Sequence, residues 1–164
     1  MKTPLTLLFL LTVVAGACST TDGRLGTPIA CDTTEPARLI LFAQAVPTSD
    51  FVPCVRDLPA GWEVQSIETR TGEAIIVFDN DTHDVRAVGT LTETCATAGE
   101  AEPTHNPSIV AYHASADRLV FTFSGGCFVL EYPGVVTNAE ADGLATAVDY
   151  LSRDDLRDLT GWTL

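Results

Sequence analysis

Asp79 opens the densest run of potential metal-binding oxygens in this chain, with the sequence D-N-D-T-H-D. The alternate residues Asp79, Asp81 and His83 have the ligand spacing of a calcium loop. A calcium loop also needs glycine at its sixth position and glutamate at its twelfth, where this chain has Asp84 and Thr90. We therefore interpret the run as a solvated turn with at most adventitious calcium binding, and we assign no metal site.

The three histidines, His83, His105 and His113, lie too far apart for a linear metal-binding motif, although a pair could converge in space. Ser124-Gly125-Gly126-Cys127 lacks the glycine two residues before the serine that a hydrolase nucleophile elbow requires. We predict a bend there that brings Cys127 to a disulfide partner. No catalytic or cofactor-binding residue is assigned.

Four cysteines follow the N-terminal region, and their even number predicts two disulfides with three possible connectivities. They are Cys31, Cys54, Cys95 and Cys127. No C-x-x-C pair occurs among them, which disfavours a zinc site or a thioredoxin-like motif. We prefer the pairs Cys31–Cys54 and Cys95–Cys127, because shorter loops make fewer topological demands. Paired cysteines also disfavour a Cys–His nucleophile.

Residues 1–17 have the pattern of a signal peptide, with a positive charge at Lys2, an apolar run and a small-residue cleavage site before Cys18. The apolar run is shorter than the ~20 residues that span a bilayer. We expect Cys18 to be lipidated, which would anchor the protein to the outer face of the cytoplasmic membrane. The alternative is cleavage by ordinary signal peptidase at the same A-x-A site, which would release a secreted protein.

We divide the remaining chain into a lipidated cysteine with a polar tether, residues 18–35, and one disulfide-stabilised globular domain, residues 36–164. Lys2 is the only lysine, so from Cys18 onward eight arginines face 22 acidic residues, and the net charge is −14. This charge repels phosphate backbones, which disfavours nucleic acid as a partner. It equally disfavours electrostatic binding to anionic lipid, which leaves the acyl chain as the contact with the membrane.

The elements that must position these residues are a short N-terminal helix, a run of strands and a C-terminal helix. Residues Ala37 to Gln44 are apolar enough to be a buried helix, or a strand, and the prolines after them favour extended or turn structure. Alternating apolar positions predict six strands. These run from Trp62 to Thr69, Glu73 to Phe78, Val85 to Thr94, Ile109 to His113, Leu119 to Phe123 and Cys127 to Tyr132.

Thr137 and Glu140 have the spacing of a capping box and predict the start of the C-terminal helix. Leu144, Val148 and Leu151 would form its apolar stripe, and Ser152 begins a second, weaker cap with Asp155. The predicted fold is α+β: an antiparallel meander sheet of about five or six strands, packed by the C-terminal helix and the short N-terminal helix.

Five segments resemble, in order, an uncharacterised family of actinobacterial secreted lipoproteins. They are FAQAVPTSDFVPCV, LPAGW, LTETC, FSGGC and ATAVDYLSRDDL. The resemblance covers Leu39 to Leu156, and it implies extracytoplasmic anchoring and structural cysteines. Members of the family have an aromatic-rich, arginine-bearing stretch before Gly-Gly-Cys, whereas this chain has Ala111-Tyr112-His113 and Phe121-Thr122-Phe123. The resemblance carries no activity.

Two classes of function remain open. The favoured one is a non-enzymatic envelope lipoprotein whose domain binds an envelope protein or a cell-wall component, with the polar loop from Ala96 to Pro107 as a candidate contact surface. The alternative is an extracytoplasmic hydrolase or metal-dependent enzyme whose site assembles only in three dimensions. It predicts a cleft that gathers a histidine with acidic residues. The acidic candidates are Asp79, Asp81, Glu93 and Glu131.

Overall fold

The computed structural model describes residues 29–32, 36–96, 101, 106 and 109–161. In these ranges the chain forms helices and strands of an α+β domain, as predicted. They are α1 (Ala37–Ala45), β1 (Phe51–Val55), β2 (Trp62–Arg70), β3 (Glu73–Asn80), β4 (Val85–Thr92), β5 (Ala111–Ser115), β6 (Arg118–Phe123), β7 (Gly126–Glu131), α2 (Asn138–Ala147), β8 (Val148–Ser152) and α3 (Arg153–Thr160).

Six strands form an antiparallel sheet in the order β2-β3-β4-β7-β6-β5. The sheet joins two three-stranded meanders side by side, β2-β3-β4 and β5-β6-β7, because β4 pairs with β7. That pairing places Leu91 opposite Phe128, and both side chains are fully buried. The six predicted strands are confirmed, with ends that differ from the prediction by two residues at most.

The inner face of the sheet packs against α1 and against a second, two-stranded sheet of β1 and β8. Leu119, Phe121 and Phe123 alternate along β6 and are buried on this inner face. Tyr150 of β8 inserts its ring among the phenylalanines, with centroids 5.5 Å from Phe123 and 6.2 Å from Phe128. The core therefore lies between the two sheets.

The prediction of one helical stripe through Leu144, Val148 and Leu151 is wrong. Helix α2 ends at Ala147, and Val148–Ser152 is strand β8, antiparallel to β1. Pairing with β1 satisfies the backbone groups of β8 and buries Val148 and Tyr150 on one side. Both capping boxes are confirmed, at Thr137 for α2 and at Ser152 for α3.

Two disulfides connect the four cysteines of the domain. Cys31 bonds to Cys54, and Cys95 bonds to Cys127. These are the pairs that the shorter loops favoured. The first disulfide ties residues 29–31 to β1, where the Val55 N–H donates to the Ile29 carbonyl at 2.5 Å. The second joins the chain after β4 to the start of β7.

Candidate functional site

A cleft of about 500 Å³ lies where α2 begins, and we call it the Trp62 cleft. Its lining combines one indole, three valines and three polar side chains. The lining residues are Trp62, His83, Val85, Val135, Val136, Thr137 and Glu140. An apolar floor with a few polar groups, at this volume, is typical of a small-ligand site.

The pairing of β2, β3 and β4 determines which side chains form the floor of the cleft. Trp62 of β2 pairs with Asn80 of β3, which in turn pairs with Val85 of β4. Directly opposed residues of antiparallel strands share a face, so these three side chains form one row on the inner face of the sheet. Trp62 and Val85 are buried in the floor, whereas Val135 at the lip is 73 % exposed.

The turn between β3 and β4 carries His83 to the rim of the cleft. Asn80 holds this turn, because its buried side-chain oxygen accepts a hydrogen bond from the Thr82 N–H at 2.9 Å. Asp84 closes the turn in the left-handed conformation, at φ 51°. All four residues of the turn, 81–84, are exposed, which agrees with the predicted solvated turn.

The carboxylate of Glu140 already has a structural role in the capping box of α2. Its Oε2 accepts hydrogen bonds from both the N–H and the hydroxyl of Thr137, each at 2.9 Å. The bond from the Thr137 backbone is the main reason that the pKa of Glu140 is lowered. The other oxygen, Oε1, lies 3.8 Å from His83 Nε2. Glu140 therefore has one carboxylate oxygen engaged at the start of α2 and the other facing His83 across the cleft rim.

A second, smaller hollow of about 230 Å³ includes residues of the opposite face of the sheet, since Arg86 follows the inward-facing Val85 on β4, and we call it the arginine hollow. It is lined by Arg86, Asp117, Arg118, Glu131, Tyr132 and Pro133. Arg86 Nε lies 3.8 Å from an Asp79 carboxylate oxygen, and Arg118 Nε lies 3.8 Å from one of Glu131. Neither pair is within hydrogen-bond distance.

The structure does not bring the two described histidines together, although His83 shares its turn with Asp81. His83 lies in the turn before β4, and His113 lies on β5, which is separated from β4 by three strand spacings, about 14 Å. Asp79 and Glu131 pair with arginines rather than with a histidine. Among the described side chains, no group of three or more His, Cys, Asp and Glu residues is placed to hold a metal ion.

Several predicted features lie outside the described residues. These are the signal peptide of residues 1–17, Cys18, most of the tether, His105 and most of the loop from Ala96 to Pro107. Sequence reasoning in turn missed most of the Trp62 cleft. A signal was present, because Val135 and Val136 follow Pro133-Gly134 and directly precede a capping box. Apolar residues directly before a helix start usually pack against other apolar side chains, and this pattern indicates such a contact here.

In the parts of the chain that the structure describes, no helix has the length and apolar character to cross a bilayer. No protein-family model matches the chain, and neither a curated protein nor a solved structure is significantly similar to it.

Proposed function

We propose that this protein is a lipid-anchored cell-envelope protein whose domain binds a ligand or partner in the Trp62 cleft. The observation that carries the proposal is the cleft itself, an apolar floor of Trp62 and Val85 beside an exposed apolar lip at Val135. Exposed apolar surface next to a formed cavity favours binding.

The polar groups of the cleft support binding rather than a reaction. Among the described residues of the lining, Glu140 is the only carboxylate, and both of its hydrogen bonds from Thr137 hold the start of α2. A general base needs a pKa near the working pH, whereas the pKa of Glu140 is lowered. The hydroxyl beside this carboxylate, that of Thr137, is likewise engaged in the capping box, where it donates to Glu140 Oε2 and accepts from the Glu140 N–H.

The proposed location rests on the signal-peptide pattern before Cys18 and is supported by the disulfides. Two disulfides in a domain of this size are typical of proteins beyond the cytoplasm. An envelope protein or a cell-wall component would be the partner there. Nucleic acid is disfavoured by the net charge of −14 from Cys18 onward.

The tether meets the domain at residues 29–31, which we call the tether junction. Helix α2 lies between this junction and the cleft. Ile29 bonds to Val55, and Val55 pairs with Val148, the residue that directly follows α2. The cleft lies at the other end of this 10-residue helix, about 15 Å away. The chain from Cys18 to Ile29 spans eleven peptide units, which extend to about 40 Å at most. A lipid at Cys18 would thus keep the cleft within about 55 Å of the attachment point.

The anchor is tested by the non-reduced intact mass of the protein from the membrane fraction of its own host. We expect a chain that begins at Cys18, carries added acyl mass and has lost four hydrogens through two disulfides. The Cys18→Ser variant should lose the acyl mass and leave the membrane fraction. An unmodified wild-type chain in the culture fluid would show that the protein is secreted instead.

The binding role is tested by crosslinking in cells with a photoreactive amino acid placed at Val135. We expect a discrete crosslinked species at Val135. The control is the same amino acid at Val110, which is equally exposed at 77 % but lies next to β5. Crosslinks of equal yield at both positions, or at neither, would argue against the cleft as the working surface.

A further inference from the structure

We infer that the Trp62 cleft is a site for a small apolar primary amine, whose ammonium group binds Glu140 at the rim and whose apolar body lies on the floor. The inference deepens the proposed binding function and rests on it. It names the chemical class of the ligand: one positive charge attached to an apolar body.

The first observation is that the two oxygens of the Glu140 carboxylate have different surroundings. Oε2 accepts both hydrogen bonds from Thr137, which fix the carboxylate at the start of α2. Oε1 lies 3.8 Å from His83 Nε2, which is beyond hydrogen-bond distance. Each carboxylate oxygen can accept hydrogen bonds through two lone pairs. Oε1 therefore offers an acceptor, already held in place, to a donor in the cleft.

The second observation is that the charge of Glu140 lacks the partner that other carboxylates of the domain have. Glu73 and Asp149 each form a close ion pair with an arginine, whereas Glu140 faces His83, whose side chain is 60 % exposed. Among the described residues that line the cleft, none is an arginine or a lysine. The hydrogen bond from the Thr137 backbone lowers the pKa of Glu140, so the carboxylate is ionised at neutral pH. A cationic ligand would balance this charge.

The third observation is the apolar surface beside the carboxylate. The described lining includes one aromatic ring, Trp62, and three valines, Val85, Val135 and Val136. An alkyl body would remove this surface from water, and an indole ring also attracts a nearby cation through its face. A simple inorganic cation would leave the apolar surface uncovered. An amine with an apolar body uses both the carboxylate and the floor.

The charge of the whole domain favours the same class of ligand. From Cys18 onward the net charge is −14, and such a field attracts cations and repels anions. The N-terminus of a helix favours an anion, but at α2 the Glu140 carboxylate already occupies that place through the capping box. A ligand carboxylate would therefore meet the negative charge of Glu140.

The test uses the full-length protein in neutral detergent micelles and follows the indole N–H of Trp62 by NMR. The chain has two tryptophans, and Trp162→Phe identifies which signal belongs to Trp62. We expect pentylammonium to shift this signal saturably, and pentan-1-ol and pentanoate to bind at least tenfold more weakly. These analogues keep an alkyl body and change the head group. Absence of a saturable shift with pentylammonium, or equal binding of pentan-1-ol, would overturn the inference.

The residue assignment is tested with Glu140→Gln, because glutamine at this position can keep the capping box and removes only the charge. The variant should weaken pentylammonium binding tenfold or more and leave the weak binding of pentan-1-ol unchanged. The matched control is Asp155→Asn, which removes the carboxylate of the second capping box, at the start of α3 rather than in the cleft. It should change the affinity less than twofold. Equal losses in both variants would overturn the assignment, because they would show an effect of net charge alone.

These results and the crosslinking at Val135 separate the two proposals. Crosslinks at Val135 without pentylammonium binding would retain the binding function and reject the amine chemistry. Absence of both would reject both.

Discussion

Gly125 occupies a position that no other residue type can fill without strain. Its φ is +76°, in the left-handed region, and a Cβ there would lie 1.7 Å from the Thr48 carbonyl oxygen. The turn between β6 and β7 docks directly on the loop after α1, where the Asp50 N–H donates to the Ser124 carbonyl at 3.0 Å. The predicted bend before Cys127 is thus also a packing contact.

We expect Gly125→Ala to lower the free energy of unfolding by about 2–5 kcal/mol, which combines the cost of left-handed backbone with that of overpacking. The control is Gly134→Ala, where an added Cβ meets nothing within 4 Å, and it should change stability by less than about 0.5 kcal/mol. Urea unfolding followed by circular dichroism measures both. Equal effects would show that the docking of this turn contributes little.

Tyr150 places a phenol in the core. Its hydroxyl oxygen is buried and has no hydrogen-bond partner among the residues that the structure describes. Burial raises the pKa of Tyr150 well above its ordinary value, and the nearby Asp149 raises it further. The ring packs well, so the residue combines favourable packing with an unfavourable hydroxyl.

We expect Tyr150→Phe to be as stable as the wild type or up to about 1 kcal/mol more stable at neutral pH, because an unsatisfied buried group is removed. Above about pH 10 the unfolded tyrosine loses its proton and the folded one keeps it, so wild-type stability falls as pH rises. The variant should lose stability less steeply. Urea midpoints from pH 8 to pH 11 test this, and parallel curves would contradict it. The pKa of Tyr132 is also raised. Because Tyr132 is present in both proteins, its contribution cancels when their stabilities are compared.

At the scale of elements, Arg153 joins α3 to the end of α1. Its Nε donates to the Ser49 carbonyl at 2.6 Å, and one terminal nitrogen donates to the carbonyls of Ala43 and Val46 at 2.8 and 3.0 Å. Helix α1 has no basic residue in its own last turn. Arg153 therefore supplies, from far along the chain, the positive charge that a helix C-terminus favours.

We expect Arg153→Met to lower the free energy of unfolding by about 2–4 kcal/mol, because three carbonyl oxygens lose a charged donor. Arg153→Lys should recover only part of this, since an ammonium lacks the planar fork. The comparison is Arg70→Met, which removes an exposed ion pair and should cost less than about 1 kcal/mol. Full recovery by lysine would show that charge alone matters.

At the scale of the whole molecule, the Cys31–Cys54 disulfide cross-links residues 29–31, where the tether meets the domain, to strand β1 of the core. It closes a loop with a sequence separation of 23 residues, and Cys54 is fully buried. Ala30 also forms a parallel bridge with Val55. Force applied through an anchor at Cys18 would reach β1 at this point.

We expect the double variant Cys31→Ala, Cys54→Ala to lose about 3 kcal/mol in the free energy of unfolding, the usual value for a loop of this length. Amide exchange at Val55 should become faster, because its N–H donates to Ile29 in the released segment. Exchange at Leu91, in the central strand β4, should still require global unfolding. It should therefore accelerate only as far as the loss of global stability dictates. Unchanged exchange at Val55 would show that the backbone contacts hold the junction without the disulfide.

Local patterns let the sequence alone predict much of this molecule. Two-residue alternation predicted all six strands of the large sheet, and the Thr137 and Ser152 caps predicted two helix starts. These signals work because each depends on neighbours within a few residues. The signal-peptide pattern before Cys18 is likewise local, and the anchor that it predicts stays a prediction.

Only the tertiary structure decided the features that depend on distant pairing. Val148 and Leu151 fit a helical stripe, yet β1 was available as a partner and Val148–Ser152 became a strand. The Trp62 cleft needs Val135 beside the start of β2, and the arginine hollow needs β4 beside β7. A strand's backbone groups bond to another segment of chain, so the choice of partner is a property of the whole fold rather than of a local sequence.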